Sequence, residues 1–467
     1  KNAVGLFLGN GMYHVERVPG RFAKFKGSFG PLKAIAQIRL EYADGSVEVV
    51  GTDGQWRVAP GPITFGSIYG GEDFDARLVQ RGWDKPDFDD SKWETAQVVD
   101  GPGGELRGLS CAAPPIDYFQ IHRPVAEHTL TNGDIVYDLG QNAAQVLKIT
   151  VTGPVGSRVQ LRPAELIKAD GSVNQGSMGA GHRGYVWCEY TKRTSGKETW
   201  ENKFFYVGCR YVQAHFIPAE TGGKLPSLKS IEGIVIHSAS PPVGKFECSN
   251  TLFNRIFRLV RWAELNNMVS LMTDCPHRER LGWLEEDHLN GPALRYDFNL
   301  AQLFTKTLND IMDSQLPNGL VPTTAPEYTV FKGNFRDAPA WGSSSILVPW
   351  QQYQFDGDVE ILRRNYDVMK KYVAYLGSTA TNDIVSHGLG DWYDLGPKAP
   401  GFAQLTPVAL TSTAFYYYDT LILSQIAAVL GRINDAAQFG KRAEEIYSAF
   451  NREFYNPAQH SYATGSQ

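Results

Sequence analysis

Fifteen residues, Thr273 to Asp287, hold five carboxylates, two arginines, a histidine and a tryptophan (Asp274, His277, Arg278, Glu279, Arg280, Trp283, Glu285, Glu286, Asp287). Apolar runs at helical spacing lie on either side: Leu252, Phe253, Ile256, Leu259, Val260 before, and Leu294, Phe298, Leu300, Leu303, Phe304 after. Pro276 and Gly282 interrupt the backbone between them, so the charged residues are expected on a loop between two helices, where catalytic groups collect. A solvated, salt-bridged loop would use the same charges. The embedded Trp, Pro and Cys argue for chemistry, because solvated loops rarely carry all three.

Two later loops repeat this character. One runs from Glu327 to Phe335-Arg336-Asp337-Ala338-Pro339-Ala340-Trp341-Gly342, and the other is Gly390-Asp391-Trp392-Tyr393-Asp394. Each pairs an acid with a tryptophan. Carboxylates accept hydrogen bonds from sugar hydroxyls, and an aromatic face packs on ring C–H bonds. A single Trp is more often core packing; three acid-plus-Trp loops in one region point to a sugar site. Glycoside hydrolysis needs one carboxylic acid to protonate the leaving oxygen and a second group to deliver water or attack. Glu279 lies between Arg278 and Arg280, which lower a carboxyl pKa, while acids such as Asp274 and Glu286 raise it. The sequence leaves that balance open.

The elements that must position these loops change along the chain. Residues 1–120 alternate with period two between Gly/Asp turns, for example Ala34–Tyr42 and Ser46–Val50, and read as a β-sandwich. The acids of Glu72-Asp73-Phe74-Asp75 in this part could hold a calcium ion or cap turns. Residues 121–240 repeat the β pattern in Asp134–Asn142, Leu147–Thr152, Arg158–Arg162 and Tyr211–Phe216, giving a second sandwich. Ser238–Gly244 reads as a linker. From Ser249 the period becomes about 3.6, with helices expected over 251–268, 291–315, 343–355, 358–377, 407–431 and 433–455. Ser249-Asn250 and Asn434-Asp435 are candidate caps. Antiparallel helices with polar, aromatic connections suggest an α/α toroid over 245–467. A closed toroid needs about twice as many helices, so the catalytic domain is expected to continue beyond Gln467.

Bulk properties narrow the function. The 467 residues are too many for one ordinary core. The net charge of -5 and pI near 6.1, with no polybasic block, speak against a nucleic-acid partner. No run of eighteen apolar residues suggests a membrane span. Cysteines at 111, 188, 209, 248 and 275 form no CxxC pair, so neither a zinc site nor a disulfide framework is expected. No cofactor or metal is implied. The first residues lack signal-peptide architecture and read as the inside of a domain.

The stretch Asp274-Cys275-Pro276-His277-Arg278-Glu279-Arg280-Leu281-Gly282-Trp283 resembles the signature of the α-L-rhamnosidases of glycoside hydrolase family 78. Similar in kind are Gly61-Pro62-Ile63 … Tyr69 … Glu72 … Phe74-Asp75-Ala76-Arg77, Gly82-Trp83, Tyr137-Asp138-Leu139-Gly140-Gln141-Asn142 and the ending Gly465-Ser466-Gln467. The resemblance covers nearly the whole chain. It implies β-sandwich domains followed by an (α/α)6 barrel, an inverting mechanism, and a carbohydrate partner with a terminal rhamnose. It matches Glu279 to the general acid, and Asp274, Arg278 and Glu286 to polar residues that bind the sugar. Trp341 and Trp392 match aromatic subsite walls; His277, Trp283, Asp337 and Asp391 join them as substrate-binding candidates. This chain departs from the pattern at His277, where the family commonly has Gln. It departs again at Leu284-Glu285-Glu286-Asp287, where an Asp commonly follows Trp-Thr-Gly. The family's general base would lie beyond Gln467.

Three readings follow. The first is an exo-acting α-L-rhamnosidase, for which a periplasmic or secreted setting is expected. The second is a lyase on the same scaffold, releasing rhamnose from a glucuronate by β-elimination with His277 moving a proton. The third is a non-catalytic carbohydrate-binding protein, against which the intact Asp274, Arg278, Glu279 and Trp283 argue.

Overall fold

The computed structural model describes residues 2–109, 112–179, 181 and 183–464; Cys111 and the ending Gly465–Gln467 lie outside them. The chain divides into a β unit, Lys1–Leu106 with Tyr118–Ile236 and Pro276–Glu279, and a helical unit, Arg107–Asp117 with His237–Cys275 and Arg280–Gln467.

The β unit is built on one large sheet. Its central path runs through Ile63–Ser67, Gly71–Asp75, Cys188–Thr191, Arg158–Ala164, Val207–Ile217, Ile135–Thr152 and Ser227–Ser238. The pairs are antiparallel except Gly71–Asp75 with Cys188–Thr191. Leu147, Ile149 and Val151 point to the core with Val159, Leu161, Val212 and Ala214, all at most 1% exposed. Period-two alternation thus places one row of β-branched and aliphatic side chains inside.

The Asp138–Asn142 motif is where this sheet shifts register. Pairing with Val207–Ile217 slips between Asp138 and Ala143. Gly140 takes φ +81°, Asp138 accepts from the Gly140 N–H at 2.7 Å, and Arg210 grips the Asp138 carboxylate with two bonds of 2.8 Å. A bulge of this kind re-aims the side chains beside it.

The acids around Glu72 are already engaged. Glu72 is fully buried and accepts from the Lys203 and Phe204 N–H groups. Asp73 pairs with Arg21, whose guanidinium lies 3.5 Å from the Trp187 ring, and Asp75 caps the turn to Arg77. Among the described residues no three His, Cys, Asp or Glu side chains form a group that could hold a metal ion.

In the helical unit Asn250 caps α1 (Thr251–Asn267), accepting from the Leu252 N–H, as expected of it. Next come α2 (Glu285–Leu289), α3 (Gly291–Asp297) and α4 (Ala301–Ser314). The single helix expected over 291–315 is two. Phe298 is extended and bridges Pro242, and the Asn299 side chain accepts from the Ala301 N–H just before α4. The spacing Leu294-Phe298 suits a continuous helix equally well, so periodicity did not reveal the break. After α5 (Pro339–Gly342) come α6 (Ser344–Asp356), α7 (Val359–Thr379), α8 (Val408–Val429) and α9 (Ile433–Phe454). Helix α9 has no side-chain cap; Asp435 sits in its first turn and accepts from Tyr366 and Lys370. Leu294, Leu303, Phe304, Ile346, Leu362, Tyr366 and Leu423 are among the residues of one continuous core. The apolar side of α1 (Leu252, Ile256, Leu259) is exposed, and its buried residues are Glu264 and Asn266.

Lys192 in the β unit tests how much a buried ion pair carries. Its ammonium is fully buried, 2.9 Å from Glu198 and from the Gly196 carbonyl. Burial alone would raise the Glu198 carboxyl, but Lys192 and the Thr194 N–H hold it below its ordinary value. Lys192→Met strands that carboxylate and is expected to cost about 3–5 kcal/mol in urea unfolding. A loss below about 1 kcal/mol would mean that water reaches Glu198.

Candidate active site

The residues singled out in the sequence divide between the two units. His277, Arg278 and Glu279 group with the β strands, while Asp274, Trp283, Glu286, Asp337, Trp341, Asp391 and Trp392 group with the helices.

In the β unit, the Pro276–Glu279 segment is docked by its backbone. The Pro276 carbonyl accepts from the Gly208 N–H at 3.0 Å. A Cβ on Gly208 would lie 2.5 Å from the Pro276 ring, so this approach requires glycine. Tyr69, fully buried, donates its hydroxyl to the Glu279 carbonyl at 2.8 Å. The Glu279 carboxylate is 15% exposed, 3.0 Å from the Lys24 ammonium and 3.7 Å from Arg278 Nε. His277 Nε2 is 3.1 Å from the Ser177 carbonyl and 3.3 Å from Glu165, which accepts from Asn142 at 2.9 Å. The bulge motif therefore ends in the carboxylate that faces His277. Lys24 and Glu165 carried no local signal in the sequence; only the fold brings them here.

In the helical unit, Asp274 closes the loop from which that segment projects. Its N–H donates to the Leu281 carbonyl at 3.2 Å, and its carboxylate accepts from the Leu281 N–H at 3.3 Å. Arg280, buried, takes φ +55° on the return. The Gly282 carbonyl accepts from the Ala325 N–H at 3.0 Å, and the Ala325 carbonyl oxygen would lie 2.5 Å from a Cβ on Gly282. Trp283 then bridges Thr324 and packs on Phe331, ring centroids 5.0 Å apart. The row continues through Phe331–Phe335 at 6.3 Å and Phe335–Trp392 at 5.3 Å, to Phe402 at 5.7 Å from Trp392. Trp283 and Trp392 are half-buried members of this aromatic wall, whereas Trp341 is 4% exposed and packs in the core.

The carboxylates of α2 sit in three environments. Burial, then Glu286 and Asp391, push the Glu285 carboxyl up to about 7. Burial also raises Glu286, which accepts from Asn290 at 3.2 Å. Asp287 is wholly inside the unit and raised well above its ordinary value by burial and by Glu286, against Arg295 and Lys306. Asp391 is exposed. Asp337 accepts from the Tyr375 hydroxyl and from His387 Nε2, the latter at 3.1 Å. Sequence reasoning took Glu286 and passed over its neighbour Glu285, because three consecutive acids look alike until a fold buries them. It also passed over His387, although His387-Gly388-Leu389-Gly390-Asp391-Trp392 put it within reach.

Comparison with known proteins identifies the family. The α-L-rhamnosidase N-terminal domain model matches residues 1–119, the bacterial α-L-rhamnosidase concanavalin-like domain model 128–237, and the bacterial α-L-rhamnosidase six-hairpin glycosidase domain model 241–467. The chain belongs to the bacterial α-L-rhamnosidases, glycoside hydrolase family 78. The expected order of two β domains followed by a helical six-hairpin domain is the family's order. A curated α-L-rhamnosidase of Streptomyces avermitilis is 30% identical over 448 residues, 93% of this chain and 41% of that protein. One of Formosa agariphila is 28% identical over 97% of this chain and 48% of that protein. The chain thus spans about half the length of the curated rhamnosidases it matches. Among solved structures, the α-L-rhamnosidase of Dictyoglumus thermophilum superposes with a TM-score of 0.85 at 36% identity, covering 92% of this chain and 47% of that one. The Streptomyces avermitilis enzyme complexed with L-rhamnose gives 0.81 at 28%, covering 91% and 39%.

Glu285 gives a pH test of the rhamnosidase-family helical unit. With its carboxyl held above the unfolded value, the folded chain binds more protons than the unfolded one between about pH 4.5 and 7. This group's contribution to stability is therefore present at acid pH and lost as pH rises through that window. Glu285→Gln is expected to unfold later in urea than the parent chain at pH 8, and the difference should vanish near pH 4. Equal behaviour at both pH values would contradict the burial of this carboxyl.

Proposed function

We propose that the chain forms part of an exo-acting α-L-rhamnosidase that hydrolyses terminal α-L-rhamnosyl linkages with inversion. The observation that carries this reading is the match of Glu279, by sequence resemblance, to the family's general acid. The residue matched to the family's general acid is pinned through its backbone by Tyr69 and presents its carboxyl beside Lys24 and Arg278. The rhamnosidase matches along the chain, and a similar enzyme solved with L-rhamnose, support the choice of sugar.

In this mechanism Glu279 gives its proton to the glycosidic oxygen as the bond to the anomeric carbon breaks, and the aglycone leaves neutral. Lys24 then faces the carboxylate that remains. Water attacks the anomeric carbon from the opposite face, and a second carboxylate about 6.5–9.5 Å from the first takes its proton. No residue here is given the part of that base. Trp283 and Trp392 offer ring faces to sugar C–H bonds, and Arg278 offers donors to hydroxyls. Asp274 acts first as the clamp of its own loop. The elimination reading gave His277 the proton. Its Nε2 already lies against Ser177 and Glu165, and nothing in that arrangement favours elimination.

Glu279→Gln is expected to lower kcat/KM about 10²–10⁴-fold on an alkyl α-L-rhamnoside, and far less on an activated nitrophenyl one. Full activity of Glu279→Gln on the poor leaving group would remove Glu279 from the acid role. On a rhamnose-capped glucuronate, a product absorbing in the near ultraviolet and lacking the aglycone hydroxyl would replace hydrolysis by elimination.

A further inference from the structure

His387 is held in one orientation by groups that leave one ring nitrogen unused. Its Nε2 lies 3.1 Å from Asp337 Oδ1, while the Tyr375 hydroxyl donates to Asp337 Oδ2. A carboxylate only accepts, so Nε2 carries the hydrogen and Nδ1 of the neutral ring is an acceptor. Nδ1 has no protein partner among the described residues and is not among the buried unpartnered atoms, so it reaches solvent; the side chain is 23% exposed. The backbone is fixed as well. Ser412 donates to the His387 carbonyl at 2.7 Å, and Gly388, at φ +118°, leaves only 2.9 Å between a Cβ and the Pro339 ring.

The segment that carries this ring also carries Trp392 of the aromatic wall. Phe335 meets Trp392 and, two residues on, Asp337 meets His387, so the segments 335–337 and 387–392 are joined at two points. Asp337 was expected to bind sugar directly, yet each of its oxygens already accepts a side-chain hydrogen bond. The group that this pair presents outward is the imidazole.

We infer that His387 is a substrate-contacting residue of the site: Asp337 and Tyr375 orient the ring, and Nδ1 accepts a hydrogen bond from a ring hydroxyl of the terminal sugar. The inference rests on the rhamnosidase reading and adds a specificity-determining contact to it. Such a contact selects for a hydroxyl at one ring position and rejects the analogue lacking it, because a fixed acceptor is then left unpaired.

The test uses aryl α-L-rhamnosides lacking the 2-, 3- or 4-hydroxyl, with the full-length enzyme. The wild type is expected to lose about tenfold or more in kcat/KM on one of the three. His387→Gln keeps an N–H for Asp337 but displaces the acceptor. His387→Asn keeps an acceptor near the Nδ1 position but loses the Asp337 bond. If Nδ1 contacts the sugar, His387→Gln raises KM about tenfold on the parent glycoside and no longer discriminates against that analogue, while His387→Asn retains part of the discrimination. If the ring only staples the two segments, the order reverses: the Gln variant behaves as wild type and the Asn variant loses thermal stability. That reversal, or equal discrimination in all three proteins, overturns the inference. Failure of the wild type to release rhamnose from any of these glycosides overturns the rhamnosidase reading instead.

Discussion

The site depends on the closure of one short loop by Asp274. Its backbone and carboxylate both bond to Leu281, so the six residues between them must leave and return at one point. Arg280 accepts a left-handed backbone on the way back, which for a non-glycine residue costs of order 1 kcal/mol and persists only where the surroundings enforce it. Pro276 is seated on Gly208 and Glu279 is tied by its carbonyl to Tyr69. The density of polar residues that marks this stretch therefore has two origins. Some of them shape the loop, and others are what the loop presents.

The two units keep their carboxyls by opposite means. In the β unit Glu279 faces cations, Lys24 and Arg278. In the helical unit Glu285 faces carboxylates, Glu286 and Asp391, in a buried setting that holds its proton to about neutrality. The acids near Glu72 are each tied to backbone N–H groups or to an arginine, and they serve the sheet.

Much of this was legible in the chain. The switch from period two to 3.6 near Ser249 placed the helices, Asn250 announced its own cap, and the motif around Glu279 identified the family. The rest depended on contacts between distant residues. Phe298 continues the helical spacing of Leu294 but bridges Pro242 in extended form. Lys24 and Glu165 become relevant only because the sheet delivers them to Glu279 and His277. Arg107–Asp117 groups with the helices although it lies within a β-patterned stretch, which no local period could show.

The tryptophans make the same point at the level of one residue type. Trp341 and Trp392 occupy similar contexts in sequence, each with an acid and a glycine within four residues. Trp341 falls in α5, whose every residue is buried, so its ring contributes area to the core. Trp392 follows Gly390, at φ +71°, and precedes Tyr393, at φ +69°, in a backbone that cannot continue a helix, and its ring meets Phe335 and Phe402 edge-on. Edge contacts on two sides fix the indole while leaving part of it uncovered, which is the state a sugar-stacking face requires. The backbone around each ring separates a half-buried indole from one packed in the core.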